Sequence, residues 1–98
     1  MSLLDNVKIM LDKTADDTSE DEKIKIIIAD GKQRLLSVHP LLTDEDFENP
    51  TLARYLLFSF CRYAYSNAAE MFDINYKADL LTLRQKYEVA EYENQNTD

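Results

Sequence analysis

The chain has 98 residues, of which 45% are hydrophobic and 31% are charged, and this balance predicts one globular domain rather than a disordered segment. Its net charge of −8 argues against a basic surface that grips phosphate, and therefore against direct affinity for nucleic acid or an anionic membrane surface. One cysteine excludes an internal disulfide and fits a reducing cytoplasm, while one glycine and two prolines favour long helices over a sheet with many turns.

Two helices are predicted in the first part of the chain. Apolar residues recur at helical spacing through residues 2–12, which indicates a short amphipathic helix. Ser19 followed by Glu22 is a capping-box pattern, so we expect a second helix over residues 20–38 with Ser19 as its N-cap. The run "IKIII" also fits a buried strand, but the charged residues on both flanks and the longer 3.6-residue period favour the helix.

Gly31 falls on the apolar face of this second helix. A glycine inside a helix costs about 1 kcal/mol relative to alanine, so its presence there needs a reason. We expect a neighbouring helix to cross close to Gly31; the alternative is a tolerated loss of stability or a break near a helix end.

The third predicted helix is the most apolar part of the chain. Pro40 ends the second helix, and Asn49 before Pro50 reads as the N-cap and first residue of a helix over residues 50–72. This helix contains Arg54 and Arg62, whose charges argue against a membrane span. Its expected inner face is Leu52, Ala53, Leu56, Leu57, Phe60, Ala64, Ala68 and Met71.

A fourth helix is predicted over residues 75–92, followed by a polar, loose tail over residues 92–98. Its apolar positions follow the four–three spacing of a helix that packs along a partner: Tyr76, Leu80, Leu83, Tyr87 and Ala90. The sequence therefore predicts an all-α fold, a compact bundle of about four helices with a long central third helix, in a single domain over residues 1–98.

The aromatic flanks of the third helix exceed what three short neighbours obviously cover. Surplus apolar surface on a small chain usually marks a partner interface, so we expect self-association. The alternative is a monomer whose tyrosines reach water with their hydroxyl groups. The candidate interface residues are Tyr55, Tyr63, Tyr65, Tyr76 and Tyr87.

The chain offers little for chemistry. His39 stands at a helix end without a recognisable nucleophile or orienting acid, and Cys61 lies in the most apolar helix, where a thiol is inert. The alternating acids from Asp44 resemble the first ligands of a calcium loop, but Asn49 and Tyr55 occupy the positions that need glycine and a bidentate glutamate. We therefore expect no enzymatic activity, no metal and no cofactor.

Acidic residues cluster in the two connections on either side of the second helix: Asp16, Asp17, Glu20, Asp21, Asp44, Glu45, Asp46 and Glu48. Acids near helix N-termini complement the helix dipole, which is one account of the clusters. The other account is a surface that repels DNA or mates with a basic partner. The residues alone leave both accounts open.

The order of elements resembles the small head–tail connector (adaptor) proteins of tailed bacteriophages and prophages. The resemblance covers most of residues 1–92 and lies in four segments: "LLDNVKIMLDKT", "EDEKIKIIIADGKQRLLSV", "ARYLLFSFCRYAYSNAAEMF" and "DLLTLRQKYEV". These segments are patterns of helix faces and carry no reactive residue.

The resemblance implies a ring of identical subunits that joins the portal protein to neck or tail components and extends the DNA channel. It implies assembly in the cytoplasm of the bacterial host and a final place in the virion neck. DNA would pass the acidic residues at the channel wall or at component junctions without specific binding. The alternative function is an acidic helical regulatory or adaptor protein, which acts as a small oligomer on a basic partner.

Overall fold

The computed structural model describes residues 2–95, and all regular structure in that range is helical. A short 3-10 helix, Asp44–Phe47, precedes the third of five α-helices. The α-helices are α1 (Leu3–Met10), α2 (Asp21–Leu36), α3 (Leu52–Tyr65), α4 (Ala69–Asn75) and α5 (Lys77–Gln95). The predicted all-α fold and helical bundle are confirmed.

The hydrophobic core forms around α3, which contacts each of the other four α-helices. The buried α3 residues include Leu56, Leu57 and Phe60, all at most 1% exposed. The other helices contribute at least one buried side chain each to the same cluster, namely Val7 from α1, Ile24, Ile28 and Leu35 from α2, Phe72 from α4 and Leu83 from α5. The predicted central position of the third helix is therefore confirmed.

The predicted continuous helix over residues 50–72 is wrong, because the chain turns sharply after α3. Asn67 has a φ of 59°, in the left-handed region that asparagine tolerates better than most residues with a side chain. The backbone N–H groups of Asn67 and Ala68 donate to the carbonyls of Ala64 and Tyr63, at 3.0 and 2.8 Å. These two bonds form a Schellman motif, which satisfies the last carbonyls of α3 and ends the helix.

The turn changes which residues reach the core. Met71, expected on the inner face of one long helix, is 42% exposed, whereas its neighbour Phe72 is 2% exposed. The Phe72 ring meets the Phe60 ring edge to face, with 5.5 Å between the centroids. Helix α4 thus covers the end of α3 as a separate element.

The predicted N-caps of α2 and α3 are also wrong. The Ser19 hydroxyl and N–H both donate to Asp17 Oδ1, at 2.6 and 3.1 Å, so Ser19 stabilises the connection and does not cap α2. Helix α3 begins two residues later than expected, where Thr51 Oγ1 accepts a hydrogen bond from the Arg54 N–H at 3.1 Å. Both differences arise because short polar side chains can bond to several nearby backbone and side-chain groups, which compete with the expected cap.

Gly31 lies where α2 crosses α3. A Cβ atom at Gly31 would stand 2.7 Å from Leu57 Cδ1 and 2.7 Å from Phe60 Cδ1, closer than carbon atoms pack. The predicted close crossing is confirmed, and it explains why the one glycine of the chain lies inside a helix.

Lys8 is a buried cation that the sequence reasoning missed. Its side chain is 1% exposed, and its Nζ contacts Asp21 Oδ1 at 2.8 Å and donates to the Ala15 carbonyl at 3.0 Å. These contacts tie α1 and the first acidic connection to the start of α2. Because an unpaired buried charge is costly, Lys8 and Asp21 depend on each other.

A polar cluster joins α5 to the loop before α3. His39 Nε2 lies 3.0 Å from Glu91 Oε2, and His39 Nδ1 accepts a hydrogen bond from the Leu41 N–H at 3.1 Å. The imidazole also stacks on the Tyr87 ring, with 6.0 Å between centroids. Burial, together with a hydrogen bond to Asp46, raises the pKa of Tyr87 to about 12.

Helix α5 is longer than predicted, since it continues through the first part of the expected tail to Gln95. Residues 96–98, the rest of that predicted tail, lie outside the described residues. The principal extents are 52 × 29 × 17 Å, so the molecule is elongated. None of the helices within residues 2–95 has both the length and the apolar composition that a bilayer crossing requires.

Candidate functional site

The structure brings three of the five candidate interface tyrosines together. The rings of Tyr55 and Tyr63 each meet the Tyr76 ring edge to face, with centroids 6.3 and 5.7 Å apart, and Tyr76 stacks on Phe72 at 5.0 Å. The Tyr63 hydroxyl accepts a hydrogen bond from Asn75 Nδ2 at 3.0 Å. Tyr55 forms the outer edge of this aromatic group and is 54% exposed.

Tyr65 lies apart from this group and is bound within its own chain. Its hydroxyl donates to Glu20, and its ring lies 5.3 and 4.9 Å from the ammonium groups of Lys13 and Lys23. Lys13 Nζ is 2.6 Å from Glu20 Oε1. Hydrogen bonds from Lys13 and then Tyr65 lower the pKa of Glu20, and the bond to Glu20 raises the pKa of Lys13. Tyr87, the fifth candidate, is half-buried in the His39 cluster.

The outward side of α3 forms a continuous aromatic and basic surface. We call it the α3 outer face and define it as Arg54, Tyr55, Phe58, Ser59 and Arg62, which share one side of the helix by their spacing. Open grooves of about 340 and 200 Å³ lie along it, and both are lined by Tyr55 and Phe58. A third groove of about 410 Å³ continues from Arg62 toward α4.

Neither arginine of the α3 outer face forms an ion pair with a carboxylate of the described residues. The Arg54 guanidinium lies 5.1 Å from the Phe58 ring centroid, and its Nε is buried without a hydrogen-bond partner in the part of the chain that the structure describes. By contrast, Lys32 and Arg34 on α2 lie 3.3 and 3.4 Å from carboxylates. The α3 outer face therefore combines exposed aromatic surface with uncompensated positive charge.

The sequence carried a signal for this charge that our reasoning missed. Helix α3 contains no Asp or Glu, and no acid stands three or four residues from Arg54 or Arg62. Pairs at those spacings are the usual partners of helical arginines. Two arginines without them, in a chain with a net charge of −8, indicate a partner beyond the helix.

The eight candidate acids have different surroundings. Asp16, Glu45 and Glu48 are exposed, as is Asp44, which differs from these three in its contact with Lys32. The others make contacts inside the chain: Asp17 with Ser19, Glu20 with Lys13, Asp21 with Lys8, Asp44 with Lys32, and Asp46 with Thr43 and Tyr87. Hydrogen bonds from Ser19 lower the pKa of Asp17. Much of the acidic clustering thus supports local structure, and the three exposed acids outside these contacts, Asp16, Glu45 and Glu48, remain as candidates for contact with a partner.

The structure bears on two of the features considered for chemistry, the thiol of Cys61 and a metal site. Cys61 is fully buried, and burial raises the pKa of its thiol to about 12, so the thiol stays protonated at neutral pH. Within residues 2–95, no group of three or more histidine, cysteine, aspartate or glutamate side chains is arranged to hold a metal ion.

Comparison with known proteins identifies no family for this chain, so a functional proposal has to rest on its own residues. No protein-family model matches the chain, and no curated protein or solved structure matches it.

Proposed function

We propose that this chain is a structural subunit that self-associates through the α3 outer face. The observation that carries the proposal is an exposed aromatic surface bordered by two arginines without carboxylate partners among the described residues. Tyrosine and arginine are enriched at protein interfaces because they combine large contact area with hydrogen bonding. A surface of this composition favours a protein partner over a small substrate.

The biological role we propose is that of a head–tail connector of a tailed bacteriophage or prophage. Identical copies would form a ring that joins the portal protein to neck or tail components and extends the DNA channel. A ring needs a heterologous interface, in which one patch meets a different patch on the next copy. The cationic α3 outer face on a chain with a net charge of −8 suits such an arrangement, since the acidic surface of a second copy complements it.

The exposed acids fit the same role. Asp16, Glu45 and Glu48 stand exposed on the two connections. An acidic channel wall or component junction would let DNA pass without the counterion release that favours binding. In this proposal the subunit acts in the host cytoplasm during assembly and in the virion neck afterwards, and it performs no catalysis.

The alternative role is an acidic adaptor that acts as a small oligomer on a basic partner, and the same exposed acids favour it. The two roles differ in symmetry. A connector forms a ring of fixed copy number, whereas the adaptor forms a closed dimer or another small oligomer without a channel.

The substitution Tyr55→Asp tests the proposal. We expect it to shift the wild-type ring toward monomer, because it places a charge on the α3 outer face, while the 54% exposed position leaves the core intact. Ile26→Asp is the matched control, since Ile26 is 69% exposed on α2 and lies outside the α3 outer face. Sedimentation velocity measures assembly, and circular dichroism checks the helical content of each variant.

Two results would count against the proposal. A Tyr55→Asp variant that sediments as the wild-type ring would exclude the α3 outer face as the interface. A wild-type closed dimer that binds one basic protein would favour the adaptor.

A further inference from the structure

The outward side of α5 carries a second exposed apolar surface. Leu81, Val89 and Tyr92 are 53%, 57% and 68% exposed, and helical spacing places them on one side. Glu88 and Glu93 flank them, and we call these five residues the α5 outer stripe. The opposite side of α5 holds the buried Leu83, so the stripe faces away from the core of its own chain.

The charge of this part of the helix complements the α3 outer face. From residue 88 to the end of the sequence the charged residues are Glu88, Glu91, Glu93 and Asp98, with no lysine or arginine among them. Glu88 is paired with Arg84, whose Nε lies 2.9 Å from Glu88 Oε1, and Glu91 lies 3.0 Å from His39. Helix α3 carries Arg54 and Arg62 and no acid. The two arginines lie two turns apart, about 12 Å along the axis, a distance that two to three turns of a docked helix would cover.

The two acidic connections and the exposed side of α2 fit the grooves of the α3 outer face less well. The first acidic connection offers charge without a large exposed apolar side chain, and the second exposes one, Leu41 at 39%, while its aromatic residue Phe47 is fully buried. Ile26 on α2 is exposed, but its neighbouring carboxylates Glu22 and Asp30 lie 3.3 and 3.4 Å from Lys25 and Arg34 of the same helix. Of these surfaces, the α5 outer stripe combines exposed apolar side chains with an acid, Glu93, that forms no ion pair with any residue the structure describes.

We propose that the α5 outer stripe of one copy docks on the α3 outer face of the next copy, with its acids beside Arg54 and Arg62. The inference rests on the self-association proposed above and names the two patches that meet. Because the patches differ and each faces away from the core of its own chain, one chain cannot satisfy its own. Each copy then presents its α3 outer face to one neighbour and its α5 outer stripe to the other. This is the head-to-tail contact that a closed ring repeats.

Charge reversal with mixing tests this docking. The variant of the α3 outer face is Arg62→Glu, and the stripe variant is Glu88→Arg with Glu93→Arg; all three side chains are exposed. We expect each variant alone to assemble at least about tenfold more weakly than wild type, because like charges then face each other. An equimolar mixture of the two variants should recover assembly. The charge-reversed α3 outer face of the first variant can bind the charge-reversed stripe of the second, and the native α3 outer face of the second can bind the native stripe of the first.

The control variant is Asp16→Arg with Glu45→Arg, which changes the net charge as much as the stripe variant does but at exposed acids elsewhere. It should assemble as wild type does. If assembly depended on net charge alone, the stripe variant and the control variant would both assemble more strongly than wild type, because each loses two acids. Circular dichroism confirms that each variant is folded before its assembly is interpreted.

A cross-linking measurement provides a second readout in a folded chain. The variant Ser59→Cys with Val89→Cys places one thiol on each patch, and the buried Cys61 does not compete. Mild oxidation should give a ladder of covalent oligomers beyond the dimer, whereas each single-cysteine variant should give little product.

The outcomes separate the docking from the proposed function. Unchanged ring assembly of the stripe variant, or no ladder from the double-cysteine variant, overturns the docking while self-association stands. A wild-type chain that remains monomeric at high concentration overturns both.

Discussion

At the scale of single residues, Gly31 determines how closely α2 approaches α3. Helical periodicity placed Gly31 on the apolar face, and its cost inside a helix predicted the close crossing. Which atoms come close, Leu57 Cδ1 and Phe60 Cδ1, depends on the tertiary packing and was not predictable from the pattern.

Gly31→Ala should destabilise the protein by about 1–3 kcal/mol, the usual cost of overpacking a core. The added methyl group would stand 2.7 Å from two side chains of α3, and Leu57 and Phe60 are too deeply buried to move away freely. Urea unfolding followed by circular dichroism measures the change. Gln33→Ala, at an exposed α2 position, is the control and should change stability little. A more stable Gly31→Ala protein would contradict the close crossing.

The buried thiol of Cys61 predicts a loss of stability in alkaline solution. Its pKa rises from 9.0 to about 12 on burial, so between these pH values the unfolded chain releases a proton that the folded chain keeps. The free energy of unfolding therefore falls as pH rises, by at most about 1.4 kcal/mol per pH unit for one group.

Cys61→Ala removes this contribution. The variant should be less stable than wild type at pH 8, because it leaves a small cavity, and the difference should shrink toward pH 10. Unfolding by urea at several pH values measures both proteins. Parallel stability curves would show that the thiol is not shielded from water.

At the scale of elements, the sequence predicted the buried sides of the helices better than their ends. Periodicity sufficed for the faces, because burial repeats every 3.6 residues. The turn at Asn67 and the cap at Thr51 depend on single hydrogen bonds that compete with equally plausible local partners. The Lys8–Asp21 ion pair was not predictable, because it requires the connection between the two residues to fold back.

The helix break predicts opposite effects for two substitutions at Asn67. Asn67→Val should destabilise the protein by about 1–2 kcal/mol, because a β-branched side chain is strained at a φ of 59°. Asn67→Gly should be neutral or stabilising, since glycine adopts this conformation without strain. Thermal unfolding of both variants beside wild type gives the comparison. Equal stability of the two would argue for an unbroken helix through this point.

At the scale of the whole molecule, two exposed surfaces face away from the core, one on α3 and one on α5. The aromatic density of residues 51–72 predicted surplus surface on the central helix, and Tyr55 is the candidate tyrosine that is more than half exposed. Tyr65 and Tyr87 lie in contacts within the chain instead, because Glu20 and His39 approach them from distant parts of the sequence. Periodicity along one helix holds no information about such approaches.

Native mass spectrometry of the wild-type chain across a range of concentrations tests the central claim most directly. Self-association through two different patches predicts a dominant species with one fixed copy number above two, as a closed ring requires. A chain that stays monomeric at the highest concentration, or that stops at a closed dimer, would contradict the account.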